Sequence, residues 1–391
     1  MMMRLLGMCI FSALLVLYAL GGVDRLRADE PADACTLELF DGKSLDGWRV
    51  IGCEAAVEDG AIVLKSGDGY LCSNHRYRDF VLRLECRLVR DAESKSDLPP
   101  QSGIFFRSGQ PPEGKPWPDG HEIAVTPGHE GELVGIAPVG ADAHFNPDEW
   151  NELVLKVEGT KASLAINGSE AWTTDRLATP LGYIGLKSRD GTSGSYAFRN
   201  IRVTELDTRW LFNGRDLTGW EGAGSPAERC WGVEMGMLYC SGKQGPWLRT
   251  REQFGDFNLR LEYMLRPGGN SGVYVRVPED GNHHGAGAGV EVQILDDADP
   301  RYKDLNAYQY SGSVYGIAPA EQHVGRPAGQ WNSLEIECTG PCYRVEHNGV
   351  VIVEATVDEF PELAERRLEG FLGLQNHSEE VWFRNIRIAA P

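Results

Sequence analysis

Short runs of alternating hydrophobic and polar residues recur along the chain, and this period of two predicts β-strands. Residues 153–158 and 258–263 alternate cleanly. The pairs Asn167-Gly168 and Asn348-Gly349 stand between such runs and are typical of two-residue hairpin turns. Long segments with a helical period are missing, and only residues 359–367 are expected to form a short helix. The pattern therefore predicts an all-β protein of the sandwich or jelly-roll type.

The same pattern occurs twice. LFDGKSLDGW at 39–48 is followed by LFNGRDLTGW at 211–220, DFVLRLE at 79–85 by DFNLRLE at 256–262, and FRNIR at 198–202 by FRNIR at 383–387. Similar motifs in the same order and at a nearly constant offset indicate two copies of one domain. We expect the first copy at 36–205 and the second at 206–391. Almost no linker separates them, so we expect the copies to pack together.

The N-terminus has the features of an export signal. Arg4 precedes an apolar run at 5–20, which is too short and too poorly flanked for a comfortable transmembrane span. We predict a signal peptide at 1–28, with cleavage after one of the small residues between 19 and 28. The predicted location is the periplasm or the cell exterior. The alternative is an anchor that stays attached.

The charge of the chain limits its partners. A formal net charge of −19 over 391 residues argues against nucleic acid or an anionic membrane surface, because both select for basic patches. It does not bear on neutral ligands such as sugars.

The cysteines fit an oxidising compartment. Cys9 lies in the predicted signal, and four cysteines remain in each half of the chain. An even number in each half is typical of disulfides. Cys230 with Cys240, and Cys338 with Cys342, flank predicted hairpins and are the expected bridges, while the pairing in the first copy stays open. A zinc site is the weaker interpretation, because neither a second CxxC nor a paired histidine spacing occurs.

The strongest candidate for chemistry is the stretch 270–297 in the second copy. Glu291 and Gln293 are two residues apart in a predicted strand and share one face, while the apolar residues between and beside them face the core. Asp296 is out of phase unless the strand carries a bulge, which would re-aim its side chain. Arg276 ends the preceding strand. We expect these four side chains to converge on one site.

Histidines lie near this stretch. His283 and His284 occupy a glycine-rich loop, which is either a lid that brings an acid, a base or metal ligands, or simply a solvated loop. Gln375 and His377 follow a predicted strand at 370–374, and His377 is the better catalytic candidate. The acids from Asp296 to Asp299 offer a third interpretation, a calcium site. In a fourth, the polar side chains along the strand bind a ligand without catalysing a reaction.

A comparison of the copies predicts a single active site. Glu291, Gln293, Gln375, His377 and Asn270 of the second copy correspond to Glu122, Ala124, Lys187, Arg189 and Gln101 of the first. Scaffold residues are kept while the polar set is replaced. We therefore expect the second copy to be active and the first to be a packing or substrate-positioning partner.

The shared motifs LF(D/N)GxxLxGW, SGxxxR, GxEVQILD, GIAP, GLQxH and FRNIRI resemble the 3-keto-disaccharide hydrolase domain family over nearly all of the chain after the signal, twice. The resemblance implies a concanavalin A-like jelly roll that is exported. It also implies cleavage of glycosidic bonds in sugars already oxidised at C3.

That activity implies roles for the candidate residues. A ketone at C3 acidifies the proton on C2, so a base can remove it, expel the C1 substituent and leave a product to which water adds. The sequence suggests Glu291 or His377 as base and Asp296 as acid, with Arg276 and Gln293 at the developing oxyanion. The expected substrate contacts are Asn270, Tyr315, Gln375, His283 and His284. No cofactor is certain, although a divalent metal such as calcium could stabilise the oxyanion.

Two alternatives remain at this stage. A carbohydrate-binding, lectin-like protein would use the same fold without catalysis. An ordinary glucanase would need two carboxylates, and the middle acid of the glucanase motif E-x-D-x-x-E is here Gln293, which argues against a double displacement.

Overall fold

Nearly all of the regular structure consists of strands. The structure is a computed structural model that describes residues 34–91 and 93–391; the predicted signal peptide lies outside these residues. The short helix expected at 359–367 is a 3-10 helix, Pro361–Glu365. Three other described 3-10 helices are Ala227–Arg229, Pro300–Tyr302 and Ala307–Gln309.

The described strands of the first copy are β1 (Ala34–Glu38), β2 (Trp48–Ile51), β3 (Glu54–Glu58), β4 (Ala61–Ser66), β5 (Gly69–Tyr77), β6 (Phe80–Arg90), β7 (Ser102–Ser108), β8 (His121–Val125), β9 (Asn151–Glu158), β10 (Lys161–Ile166), β11 (Ser169–Thr174), β12 (Gly182–Ser188) and β13 (Gly194–Trp210). Those of the second copy are β14 (Trp220–Gly222), β15 (Trp231–Glu234), β16 (Met237–Ser241), β17 (Leu248–Phe254), β18 (Phe257–Leu265), β19 (Asn270–Val277), β20 (Val290–Leu295), β21 (Asn332–Thr339), β22 (Cys342–His347), β23 (Val350–Ala355), β24 (Gly370–Leu374) and β25 (Glu380–Ala389).

The described strands form three antiparallel sheets. One five-stranded sheet has the order β2-β5-β12-β7-β8, and a second has the order β14-β17-β24-β19-β20. The remaining strands form one 15-stranded sheet that runs through both copies. Each five-stranded sheet packs on its own half of the large sheet, and a separate apolar core fills each of the two interfaces. The predicted all-β fold of two tandem sandwiches is confirmed.

The predicted hairpins form with the expected turn chemistry. At the turn between β10 and β11, Asn167 and Gly168 have φ values of 49° and 81°, and Asn348 and Gly349 between β22 and β23 have 48° and 77°. Positive φ at both central residues gives the type I′ turn, whose twist matches that of the flanking strands.

The two copies are joined directly at the end of β13. Residues 208–210 of this strand pair with residues 387–389 of β25 at the other end of the chain. Beside this junction the buried Glu205 accepts hydrogen bonds from Arg260 at 2.6 Å and from Arg387 at 2.7 Å. Burial alone would raise the pKa of Glu205, but the two guanidinium groups lower it. A carboxylate of the first copy is thus held by two arginines of the second.

The expected disulfides are not found, because all eight described cysteines are free thiols. In the β21–β22 hairpin, Cys342 pairs with Thr339 while Cys338 pairs with Tyr343. Neighbouring pairs along a ladder project to opposite faces of the sheet, so Cys338 and Cys342 point away from each other. Cys230 and Cys240 are both buried in the core of the second copy, where their thiols contact each other without forming a bridge and the Cys230 thiol donates to the Pro246 carbonyl at 3.4 Å.

Among the described residues, no helix has the length and apolar character needed to cross a membrane.

Candidate active site

The floor of the site is the β19–β20 hairpin of the second copy. Val290, Val292 and Ile294 enter the core, while Glu291 and Gln293 project to the other face, as the alternation predicts. Their partners on β19 are Tyr274 opposite Glu291 and Gly272 opposite Gln293. The ladder shows no register shift across its described pairs, so the bulge that would have re-aimed Asp296 is not there.

A pocket of about 280 Å³ opens above this floor. Most of the candidate residues predicted from the sequence line it. The lining residues are Asn270, His283, His284, Glu291, Gln293, Leu295, Tyr302, Leu305, Gln309, Tyr315, Gln375 and His377.

Glu291 is the buried acid of this pocket, with only 2% of its surface exposed. Its Oε2 lies 3.1 Å from His283 Nε2. Its Oε1 has no hydrogen-bond partner among the described residues. A buried carboxylate oxygen without a partner is costly, which marks Oε1 as the atom to which a ligand would donate. Gly272 makes this arrangement possible, because a side chain there would overlap Oε1.

His283 is held as the partner of Glu291. Its ring stacks on Tyr274 with centroids 4.9 Å apart, and its Nδ1 lies 3.2 Å from the carbonyl oxygen of Gly281. Burial lowers the pKa of His283, but the hydrogen bond and the charge of Glu291 outweigh it and raise the pKa above the usual value. The imidazolium satisfies both acceptors at once, since both of its ring nitrogens donate.

His284 is the uncharged neighbour of that pair. Its ring centroid lies 3.9 Å from that of His283. Burial, and then the charge of His283, lower the pKa of His284. The two histidines therefore differ in protonation, with the proton favoured on the one that contacts Glu291.

Amide groups surround the carboxylate. Gln293 donates to Asn270 Oδ1 at 3.4 Å, and Gln375 donates to the Tyr274 hydroxyl at 3.2 Å. Gln375 Oε1 is a second buried acceptor for which the described residues supply no partner. Burial and the nearby Glu291 raise the pKa of Tyr274, which keeps this phenol protonated.

Sequence reasoning missed the wall of the pocket formed by Tyr302, Leu305 and Gln309. Gln309 donates to the Tyr315 hydroxyl at 2.9 Å, which leaves the hydroxyl proton of Tyr315 available to a ligand. A usable signal was the length of the segment 296–313, which corresponds to the shorter segment 126–132 in the first copy.

Two predicted site residues lie elsewhere. Arg276 is completely buried and binds the backbone of Gly255 and Gly340 and the carboxylate of Asp256, so it is a scaffold residue and does not reach the pocket. Asp296 follows the end of β20, where its Oδ2 accepts a hydrogen bond of 2.7 Å from the Gly268 amide. Without a bulge, its side chain does not join Glu291.

His377 lies at the rim of the pocket. Its side chain is 52% exposed, and its Nδ1 is 3.3 Å from Glu379 Oε2. The structure therefore brings His377 and Glu291 to one pocket but in different environments, one exposed and one buried.

The acids after β20 hold separate partners. Asp297 Oδ1 accepts from the Ser311 amide and Asp299 Oδ1 from the Arg301 amide, in addition to the contact of Asp296 with Gly268. Within the described ranges no group of three or more His, Cys, Asp or Glu side chains is arranged to hold a metal ion.

Residues 36–204 and 207–389 each match the family of the 3-keto-alpha-glucoside-1,2-lyase-like domain. The chain belongs to this family. A 3-keto-disaccharide hydrolase of Bacteroides thetaiotaomicron is 27% identical to it over an alignment of 259 residues, and the match covers 52% of this chain and 88% of that protein.

Solved structures also resemble parts of the chain. A candidate glycosyl hydrolase of Parabacteroides distasonis is 26% identical with a TM-score of 0.42, and the match covers 47% of this chain and 99% of that one. A carbohydrate-binding module of Bacillus subtilis is 16% identical with a TM-score of 0.32, and covers 40% and 94%.

In the first domain, a lysine side chain occupies the place beside the corresponding carboxylate. Glu122 lies over Gly103 as Glu291 lies over Gly272. Lys187, which replaces Gln375, donates to Glu122 Oε1 at 2.7 Å, and its ammonium group lies 4.7 Å from the centre of the Trp117 ring. The carboxylate oxygen that is free in the second domain is therefore neutralised in the first.

Proposed function

We propose that this protein is an exported carbohydrate-active enzyme that cleaves the glycosidic bond of 3-keto-glycosides at the pocket of its second domain. One observation carries the proposal: a buried carboxylate, Glu291, has one oxygen paired with His283 and the other unpaired at a pocket lined by amides and hydroxyls. Such an oxygen is suited to accept a proton from a substrate. Family membership and the hydrolase of Bacteroides thetaiotaomicron support the substrate class.

The chemistry follows from the ketone. A carbonyl group at C3 acidifies the C2–H bond, and Glu291 Oε1 takes that proton. The electron pair forms an enolate and then the C1–C2 double bond, while the C1–O bond to the aglycone breaks and the leaving oxygen gains a proton. Water then adds its hydroxyl to C1 and a proton to C2, which completes a net hydrolysis.

The other pocket residues serve this route in distinct ways. The Tyr315 hydroxyl and the Gln293 amide are the donors we assign to the enolate oxygen, because hydrogen bonds to a developing oxyanion are a large source of catalysis. His377 at the open rim is the group we assign to the leaving oxygen. Gln375 Oε1 and Asn270 would bind sugar hydroxyls. No step is assigned to a metal ion.

A retaining glucanase mechanism is less well supported. It needs two carboxyl groups about 5–5.5 Å apart in one site. Asp296, the second acid on which such a mechanism would depend, contacts Gly268 and does not line the pocket. We therefore favour proton abstraction by a single carboxylate.

The two domains are proposed to work as one exported unit with one active site. The contacts of Glu205 with Arg260 and Arg387 support a fixed packing of the copies, and the Lys187–Glu122 ion pair supports an inactive first domain. Export is inferred from the N-terminal sequence alone.

The proposal is tested by measuring aglycone release from a 3-keto-glucoside and from its unoxidised parent, with and without a chelator. We expect turnover of the keto sugar only and a loss of about 10²–10⁴-fold in Glu291→Gln. A loss of turnover with the chelator would show that a divalent metal takes part. Binding of the sugar without turnover by the wild type would instead indicate a lectin-like protein, and turnover of the unoxidised parent would indicate an ordinary glycosidase.

A further inference from the structure

The loop 278–289, which carries His283, is held from outside the pocket by one arginine. Nη1 of Arg366 lies 3.1 Å from the carbonyl oxygen of His283, 2.8 Å from that of Gly285 and 3.2 Å from that of Gly289. Three carbonyl groups of one loop thus converge on a single guanidinium nitrogen. Arg366 does not itself line the pocket.

The segment that carries Arg366 is anchored in the core of the second domain. The 3-10 helix Pro361–Glu365 precedes it, and Leu363 of this helix is completely buried in the core. Backbone hydrogen bonds extend the contact, from the Gly287 amide to the Glu365 carbonyl at 2.8 Å and from the Arg367 amide to the Ala288 carbonyl at 2.9 Å. The segment 361–367 therefore offers the loop a fixed edge.

The loop needs such a support because of its composition. Gly281, Gly285 and Gly287 all have positive φ values. Glycine adopts positive and negative φ about equally readily, so these residues do not by themselves hold the loop in one conformation. Ordering a glycine costs more conformational entropy than ordering any other residue. The position of His283 against Glu291 therefore depends on contacts that fix the loop backbone.

An arginine suits this position better than a lysine would. Its planar guanidinium group presents several donors in a fixed orientation, whereas an ammonium group is a point charge on a flexible chain. Burial lowers the pKa of Arg366, although an arginine in this setting stays charged at neutral pH.

The first copy lacks both partners of this contact. Arg366 stands four residues before Gly370, at the start of β24, and Ala178 stands at the same distance before Gly182, at the start of β12. The corresponding loop there, 109–120, contains no histidine. The arginine and the histidine loop thus occur together in the copy with the open carboxylate and are both missing from the other.

We propose that Arg366 is a positioning residue, which holds His283 on Glu291 Oε2 by ordering the loop and does not touch the substrate. The inference rests on the proposed function for its catalytic consequence. Its structural consequence, the titration of His283, can be measured independently.

The test compares Arg366→Ala and Arg366→Lys with Arg367→Ala as the matched control. The Arg367 side chain donates to the Glu369 carbonyl and forms no hydrogen bond or ion pair with the described residues of the loop, and its backbone amide remains in the control. The readouts are the His283 titration by NMR, assigned with His283→Gln, and kcat and KM for the 3-keto-glucoside.

We expect Arg366→Ala to shift the His283 pKa towards its ordinary value of about 6.5, because losing the hydrogen bond and charge of Glu291 outweighs removal of the Arg366 charge, which by itself lowers this pKa. It should lower kcat about 10–100-fold with a smaller change in KM, because a misplaced catalytic group costs about 10²-fold per ångström. Added guanidinium ion, at concentrations far below denaturing ones, should restore part of the activity of Arg366→Ala. Arg366→Lys should be intermediate and should not respond to guanidinium.

The outcomes separate the two proposals. An unchanged His283 titration in Arg366→Ala, with kcat within threefold of Arg367→Ala, would overturn the positioning role. If Arg366→Ala fails to fold, the same criterion applied to Arg366→Lys decides. A wild type without activity on the keto sugar would remove the proposed function, while the His283 titration would still test the contact.

Discussion

Gly272 offers a direct test of the geometry around Glu291. The glycine lies on β19 beside the carboxylate, and a Cβ built there would overlap Glu291 Oε1 and lie 2.8 Å from its Cδ and 2.9 Å from its Cγ. Carbon atoms in contact normally stand about 3.5–4.0 Å apart. In Gly272→Ala the carboxylate must therefore move by about 1 Å.

That displacement has a predictable size of effect. Misplacement of a reacting group by about 1 Å costs about 10²-fold in rate, and the general base itself contributes about 10²–10⁴-fold. We expect kcat/KM of Gly272→Ala for the 3-keto-glucoside to fall about 10²–10³-fold. The cost in stability should be about 1–3 kcal/mol, the usual range for overpacking, so the variant should still fold.

The first domain supplies the matched control. Gly103 has the same place beside Glu122, whose Cδ and Cγ would lie 3.0 Å from a new Cβ. Gly103→Ala should show a similar loss in the urea unfolding midpoint but keep kcat/KM within threefold of the wild type. If Gly272→Ala were as active as Gly103→Ala, Glu291 would not be the base. If both variants were inactive, the first domain would take part in catalysis.

Three further predictions concern charge. Because the pKa of His283 is raised, its pairing with Glu291 should stabilise the fold fully below about pH 6.5 and lose that effect as the pH rises through the raised pKa. The difference in urea unfolding midpoint between the wild type and Glu291→Gln should therefore be larger at about pH 5.5 than at about pH 8.5. Lys187→Met should leave Glu122 unpaired and cost about 1–3 kcal/mol in urea unfolding, with the activity of the second domain unchanged; a loss of activity would count against a single active site. Glu205→Gln should leave the buried Arg387 without its carboxylate, while Arg260 keeps only Glu335, and should lower the calorimetric stability by about 3–5 kcal/mol; an unchanged melting profile would show that the junction contributes little.

Some of the site could be predicted from local pattern. The alternation in β20 places Glu291 and Gln293 on the face opposite the core, because successive residues of a strand project to opposite sides. The comparison of Gln375 with Lys187 indicates which copy is open, and the structure shows the lysine bound to Glu122. Both inferences depend on residues at known positions in strands whose register the sequence specifies.

Other assignments required the fold. Arg276 was expected in the site because the pattern ends the strand there, but β19 continues to Val277, and the guanidinium group is completely buried and bound to Asp256. Asp296 depended on a bulge, and whether a ladder carries one is decided by its partner strand. Tyr302 and Gln309 belong to a long connection without periodicity, so nothing local indicates that they line the pocket.

The sequence by itself determined the all-β class, the duplication and the polar face of β20. These follow from the period-two alternation, the repeated motifs and the Asn-Gly turns, each of which can be recognised in a short stretch of sequence. Only the tertiary structure decided that Cys338 and Cys342 point away from each other, that His283 reaches Glu291 while Asp296 does not, and that Arg366 contacts the loop that carries His283. Such contacts join residues far apart in the chain, and their geometry depends on how strands pair and loops close, which no local pattern specifies.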